Sequence, residues 1–338
     1  MPARSAPDPA GGGGRGTSPA AAHDAADPAA AYERLRPLMF SIAYRMLGSV
    51  TEAEDIMQEA FLRYHRAVAE SGPPQSPRAY LSAITTRLCI DQLRSARARR
   101  ESYVGEWLPE PLLTGPAPLT APAPDPAELA EQSDSLSMAF LLLLERLTPV
   151  ERAVFLLHDV FSYDYAETAS IVGRSTANCR QLAHRARQHV EDNRPRFEAS
   201  QAQRDELAAR FFDAVGRGDM AGLVSMLAED VVVSGDNAGV PPAWARPIVG
   251  RGNVSRLLAG LGSQLRDAAA SLEPAHVNGQ PGALARAPDG SLISVFVLDI
   301  AGGQVQAVRS VISREKLRHL GPLADLQALR AGARHGRD

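Results

Sequence analysis

The densest set of residues able to touch nucleic acid lies in DYAETASIVGRSTANCRQLAHRARQHVE, Asp164 to Glu191. Here Arg174, Ser175, Thr176, Asn178, Arg180, Gln181, His184, Arg185 and Arg187 follow Gly173, which closes one helix and opens the turn to another. Arginine and glutamine reach acceptors on base edges, further arginines reach phosphate, and short polar side chains with free N–H groups at a helix start suit phosphate oxygens. A helix-turn-helix needs this arrangement, because its second helix enters the major groove by its N-terminal end. A solvated polar face on a packed hairpin is the plainer reading of such a run. The clean start and stop signals favour duplex DNA.

A second basic stretch, YLSAITTRLCIDQLRSARARRES, carries Arg87, Arg94, Arg97, Arg99 and Arg100 against Asp91 and Glu101. Its C-terminal half could track a phosphate backbone, although arginines there also complement a helix dipole. An earlier helix shows the opposite charge: Glu52, Glu54, Asp55 and Glu59, with Gln58, lie opposite its apolar stripe. Acids repel DNA and suit a protein partner, or simply water. Near the C-terminus, Asp230, Asp236, His276 and Asp299 are the candidates for acid–base work, which would need two of them converging on one apolar pocket. Their spacing shows no such convergence.

With 36 Lys+Arg against 39 Asp+Glu the net charge is −3, so any nucleic-acid site must be local. Lys316 is the sole lysine. No window reaches the ~18 uninterrupted apolar residues of a membrane span, and the N-terminus lacks a secretory apolar stretch, which together place the chain in the cytoplasm with no membrane partner. Cys89 and Cys179 are far apart with no ligand at metal spacing, which argues against disulfides and structural zinc.

These residues need elements to position them. Residues 1–29 have no aromatic or branched aliphatic side chain and read as a disordered tail. Residues 30–104 read as a helical domain; its second helix carries Ala53, Ile56, Met57, Ala60, Phe61 and Tyr64 at helical spacing, with Ser49 as N-cap and Glu52 three residues on. A third helix follows from about Pro77 to Arg100. Residues 105–128 are so rich in proline that they read as an extended linker leaving its neighbours free to move. Residues 129–195 form a second helical domain: a helix from about Leu129 to Leu147, another opened by Thr148, Pro149 and Glu151, a third opened by Asp164 and Glu167, and a last one capped by Ser175. Residues 203–320 read as two helices, a strand, a helix and two strands joined at Ala301-Gly302-Gly303, an α+β domain with an antiparallel sheet, before a tail at 321–338.

LMFSIAYRMLGSVTEAEDIMQEAFLRYHRA, Leu38 to Ala67, closely resembles region two of bacterial extracytoplasmic-function (ECF) sigma factors, and LTPVERAVFLLHDV to HRARQHVE resembles their region four. The two occur in order, across roughly the middle half of the chain. WLPEP, Trp107 to Pro111, and the extra domain resemble the subgroup with a C-terminal SnoaL-like extension. The resemblance implies a multidomain protein, two all-α domains plus an α+β SnoaL-like cone, acting as a promoter-specificity subunit without metal or organic cofactor. It implies that Asp55, Gln58 and Glu59 dock on the clamp helices of the β′ subunit of core RNA polymerase. The loop Ala69 to Arg78, with the following helix, would engage the melted downstream element, and Arg174 to Arg187 the upstream duplex element.

The subgroup usually carries an Asp-Gly-Gly-Gly-Lys loop and an Asn-Pro-Asp-Lys-Leu motif. This chain has Asp236-Asn237-Ala238-Gly239-Val240 and Ser313-Arg314-Glu315-Lys316-Leu317, so only Asp236, Gly239, Lys316 and Leu317 carry over. We expect Asp236, Lys316 and Leu317 near a regulatory contact through which the cone acts in cis on the helical domains, with an unidentified small-molecule ligand of the cone as a further possibility. The reading from another class is a SnoaL-like enzyme or ligand sensor fused to an ordinary helix-turn-helix regulator. Such a protein would not need the acidic helix.

Overall fold

The computed structural model describes residues 28–101, 106–115, 135–191, 200–238 and 246–325. Three long helices open the chain: α1 (Pro28–Leu47), α2 (Val50–Ser71) and α3 (Pro77–Glu101). Gly48, with φ +66, turns α1 into α2, and Ser49 Oγ accepts from the Glu52 N–H, the cap expected there. The carboxylate of Glu52 also reaches across to accept from Gln92 Nε2 on α3 at 2.9 Å. Ile42, Ala53 and Ile56 meet Ile90 and Leu93 in the core between the three helices.

Region four contributes α4 (Met138–Leu144), α5 (Pro149–Phe155), α6 (Tyr165–Val172) and α7 (Thr176–Glu191). Of the helix expected from Leu129, residues 129–134 lie outside the described residues; α4 starts at Met138 because Ser137 caps it through Phe140 N–H. Both capping boxes form, Thr148 with Glu151 and Asp164 with Glu167, and Gly173 ends α6 in the left-handed conformation. After α5 the chain widens into a π-helical turn, Leu156–Val160, with no counterpart in the sequence reading. Region four packs directly on region two: Phe140, Phe155, Leu156 and Ile171 share one buried core with Ile42, Leu47, Cys89 and Ile90.

The last domain is a six-stranded sheet with helices packed against one face. Helices α8 (Gln201–Arg217) and α9 (Met220–Met226) precede strand β1 (Leu227–Asp236). Strand β2 (Ile248–Val249), helix α10 (Arg251–Asp267) and strands β3 (Ser271–Val277), β4 (Gln280–Arg286), β5 (Leu292–Ala301) and β6 (Gln304–Val311) follow. A short helix α11 (Arg314–Leu317) ends the domain. Strand order is β2-β1-β6-β5-β4-β3. The sheet is mixed, which corrects the expectation of an antiparallel one: the meander β3 to β6 returns beside β1 running parallel to it, and the long connection through α10 permits this. Ala301 pairs with Gln304 across Gly302-Gly303, the expected hairpin. A second hairpin, Asn278-Gly279 between β3 and β4, has both residues at positive φ, as a two-residue turn of this type demands.

Side chains alternate across this sheet. Phe296, Leu298 and Val308 face α8 and α10, while Leu284, Val295, Val297 and Val311 face the other way and close over Leu108, Met138 and Leu317. The face of the sheet away from α8 and α10 is therefore covered by the linker, by the start of region four and by α11.

Candidate nucleic-acid interface

Helix α7 presents Arg180, Gln181, His184 and Arg185 to solvent along one face, with Arg174 and Ser175 exposed at its start. Ser175 Oγ accepts from Asn178 N–H at 3.2 Å, which fixes the first turn. Thr176 and Asn178 are half-buried there. The opposite face is apolar: Cys179 and Ala183 pack on Val154 and Ala169, and Ala186 and Val190 join the core shared with region two. The guanidinium of Arg180 lies 5.6 Å from the centre of the Tyr165 ring. Arg187 is engaged otherwise: its Nε donates to Asp159 Oδ1 at 2.6 Å and its Nη2 to Tyr165 Oη at 3.2 Å. Asp159 sits in the π-helical turn and holds the Arg187 guanidinium above its ordinary pKa.

The region-two candidates divide similarly. On α2, Asp55 and Gln58 are exposed, and Glu59 accepts from Arg63 Nε one turn on, at 2.6 Å. On α3, Arg87 donates to the carbonyls of Ile171 and Ser170, both at 2.9 Å, and so caps the C-terminal end of α6. Arg78 approaches the Tyr163 hydroxyl at 3.3 Å and its ring at 5.3 Å, with Ser82 Oγ 2.8 Å from the same hydroxyl. Two arginines expected to face single-stranded DNA are thus held against region four. Arg94 pairs with Asp91 at 3.3 Å. The side chains of Arg97, Arg99 and Arg100, like Gly239, lie outside the described residues.

The segment 106–115 is pinned, contrary to the free linker expected from its prolines. Asp236 Oδ2 accepts from Leu108 N–H at 2.8 Å and from Lys316 Nζ at 2.5 Å; Lys316 also donates to Leu108 carbonyl at 2.5 Å and lies 4.4 Å from the Trp107 ring centre. Leu317 is buried beside Leu108. Prolines remove backbone donors without removing carbonyl acceptors or side chains, so a Pro-rich strip can still be held by its partners. On the other side the strip meets region two: Glu110 N–H donates to the Gly48 carbonyl at 2.8 Å, and a Cβ on Gly48 would stand 2.7 Å from the Trp107 ring.

Glu106 lies against the same strip. Burial pushes its carboxyl pKa up, Arg309 and Ser234 oppose the rise, and Asp236 adds to it. A carboxyl whose pKa is raised on docking favours the docked state when protonated. Its contribution is full in acid and fades as pH rises through the raised value. Glu106→Gln should therefore raise the thermal midpoint near neutral pH and leave it unchanged in acid. A midpoint difference from the parent that does not vary with pH counts against this role.

The acid–base candidates do not meet. Asp230 is exposed on β1, Asp236 is bound to Lys316, His276 Nε2 stands 3.0 Å from Asp205, and Asp299 accepts from Arg309 and Gln280. None lines the apolar cavity between α8, α10 and the sheet. That cavity, walled by Phe211, Phe212, Leu258 and Phe296 among others, has about 10 Å³ of free space, the room of roughly one water. That cavity is too small for an organic molecule, so it gives the expected ligand no support.

The Sigma-70 region 2 model matches residues 31–99 and the Sigma-70 region 4 model residues 137–190. The chain is 39% identical over 231 residues to the ECF RNA polymerase sigma factor SigJ of Mycobacterium tuberculosis, covering 68% of this chain and 72% of SigJ. The chain belongs to the ECF RNA polymerase sigma factors. This sigma factor is also 31% identical over 222 residues to SigG of the same species, 59% of each chain. The crystal structure of M. tuberculosis SigJ superposes with TM-score 0.66 at 34% identity, over 87% of this chain and 99% of that one. As an ECF sigma factor the protein directs promoter-specific transcription initiation with RNA polymerase core and promoter DNA as partners. The family is one of transcription factors, not enzymes, and the reading as an ordinary helix-turn-helix regulator is set aside by the region-two match.

Tyr44, Arg45 and Asn278 escaped the sequence reading, and Trp107 and Glu110 entered it only as part of the WLPEP resemblance, without a contact assigned to either. Asn-Gly between two apolar runs is a strong hairpin signal and could have located Asn278. Arg45, buried in α1 and donating to Ser135, gave no such signal; burial pulls its pKa down to about 10.

Proposed function

We propose that this sigma factor docks on the clamp helices of the polymerase β′ subunit through Asp55, Gln58 and Glu59, and reads the upstream promoter element with α7. The cone regulates this activity in cis by holding the linker. The observation that carries the regulatory part is the buried pair Asp236–Lys316 clamped on Leu108, because it ties the C-terminal domain to the strip joining the two DNA-binding regions. Arg78 and Arg87 act on the melted downstream element only after leaving Tyr163, Ile171 and Ser170, so closure of region four on region two and strand capture exclude each other. No small-molecule ligand is part of this proposal. Run-off transcription with core polymerase, comparing the full chain with a chain ending near Ser200, tests it; identical promoter preference and output at equal polymerase occupancy would refute regulation by the cone.

On α7 the exposed Arg180 and Gln181 address base edges, and Arg187 addresses phosphate once it has left Asp159. Arg180→Ala should cost ~1–3 kcal/mol on the cognate upstream element and relax base preference. Arg187→Ala should weaken all sequences alike and lower the salt slope. Binding titrations on cognate and scrambled duplexes at several salt concentrations distinguish the two; equal losses on both duplexes for both variants would sink the division of labour.

A further inference from the structure

The N-terminus of α2 is capped twice. Ser49 Oγ accepts from Glu52 N–H, while the Glu110 carboxylate, from the linker, accepts from Ser49 Oγ at 2.8 Å, from Thr51 N–H at 3.0 Å and from Thr51 Oγ1 at 3.3 Å. A carboxylate on the first free N–H groups of a helix both satisfies them and complements the dipole. Glu110 is itself held in place by backbone bonds: its N–H donates to the Gly48 carbonyl and its carbonyl accepts from Tyr44 Oη at 2.7 Å. Tyr44 in turn is buried and accepts from Asn278 Nδ2 at 2.6 Å.

Asn278 is fully buried at the apex of the β3–β4 hairpin. Besides Tyr44, its Nδ2 donates to the Leu136 carbonyl at 3.0 Å, its Oδ1 accepts from Leu112 N–H at 3.0 Å, and its own N–H donates to the Leu112 carbonyl at 2.8 Å. Gly279 N–H donates to Thr114 Oγ1. One asparagine of the cone thus touches region two, the linker and the start of region four. Both central residues of this turn stand at positive φ, which asparagine and glycine adopt most readily, and this accounts for Asn-Gly at this place.

We infer that Glu110 is a positioning residue for the acidic helix α2, and that seating of the cone through Asn278 and Tyr44 controls its cap. Leaving of the hairpin frees Glu110 and strips the first turn of α2 of its second cap, four residues before Asp55. The consequence for polymerase rests on the reading of α2 as the polymerase face. The coupling of cone to cap does not.

Amide hydrogen exchange on the full chain tests it. Thr51 N–H, which Glu110 caps, should exchange about 10-fold faster in Glu110→Gln, the loss of one charge-assisted cap. It should exchange roughly 3-fold faster in Asn278→Ala and in Tyr44→Phe, which removes one hydroxyl and leaves packing intact. The double variant Asn278→Ala/Glu110→Gln should exchange no faster than Glu110→Gln alone, because both act through one cap. Thr168 N–H in α6, bonded to the Asp164 carbonyl, should not change. Unaltered Thr51 exchange in Asn278→Ala, multiplying effects in the double variant, or acceleration of Thr168 in step with Thr51 would each overturn the relay. Core polymerase affinity is read beside it and should fall several-fold in Glu110→Gln. If it stays unchanged while charge reversal at Asp55 and Glu59 abolishes binding, the link from cap to polymerase is overturned; if that reversal is also silent, the face assignment has failed and the exchange data still decide the relay.

Discussion

Reversing Asp55 and Glu59 to Arg should abolish co-purification with core RNA polymerase while leaving the helical circular dichroism intact. Asp55 is exposed and Glu59 bonds only locally to Arg63, so neither supports the core beneath α2. The double variant turns two negative charges into two positive ones on a single face. Against a basic partner, juxtaposed like charges cost several kcal/mol, on the order of a thousandfold in Kd. Within the helix the new neighbour of Arg63 costs only a few tenths of a kcal/mol, about what an i,i+4 like-charge pair costs. Retention on immobilised core polymerase checks the expectation, and undiminished retention removes α2 as the docking face.

The second large effect is expected from Lys316→Ala. Asp236 has no exposed surface, and Lys316 Nζ supplies its counter-charge while also holding the Leu108 carbonyl. Removing one partner of a buried pair leaves the other charged and unpaired, at about 3–5 kcal/mol. Lys316→Met combined with Asp236→Asn removes both charges and should cost less than Lys316→Ala alone. Thermal unfolding of the two variants gives that comparison. Transcription by Lys316→Ala, at equal occupancy of core polymerase, should then depart from the parent in promoter output, since the clamp on the linker is gone. Output and promoter preference identical to the parent, despite the lost stability, would make the pair a structural fastening with no regulatory part.

Much of the helical architecture was legible because its signals are local. Thr148-Pro149 with Glu151 and Asp164 with Glu167 act within one turn, and both boxes form where the chain announces them. The exposed polar face of α7 was legible for the same reason. Region two was readable from Ala53, Ile56, Met57, Ala60 and Tyr64, whose spacing alone places them in the core. What failed was long-range. Proline-rich composition speaks to the backbone of 106–115 and is silent on whether Asp236, Lys316, Gly48 and Asn278, remote in the chain, will hold it. Strand β4 was missed because QPGALAR contains Pro, Gly and few branched residues; pairing with β5 overrides that weak propensity. Arg78, Arg87 and Arg187 were assigned by residue type, and type cannot report that Tyr163, Ile171 and Asp159 already occupy them.

The Arg87 cap on α6, with Arg152 of α5 donating to the Met46 carbonyl at 2.6 Å, makes the union of regions two and four a state with its own free energy. A partner that needs the two regions apart sees only the fraction of molecules that have let go, and its apparent Kd is the intrinsic value divided by that fraction. Each loosening of the union by about 1.4 kcal/mol multiplies that fraction tenfold while it is small, and tightens the partner's apparent binding by the same factor. A substitution at Arg152 that damages this contact would then register in a binding assay as a gain, so the chain's effective potency as a promoter-binding subunit is adjustable from a residue outside the faces assigned to polymerase and DNA.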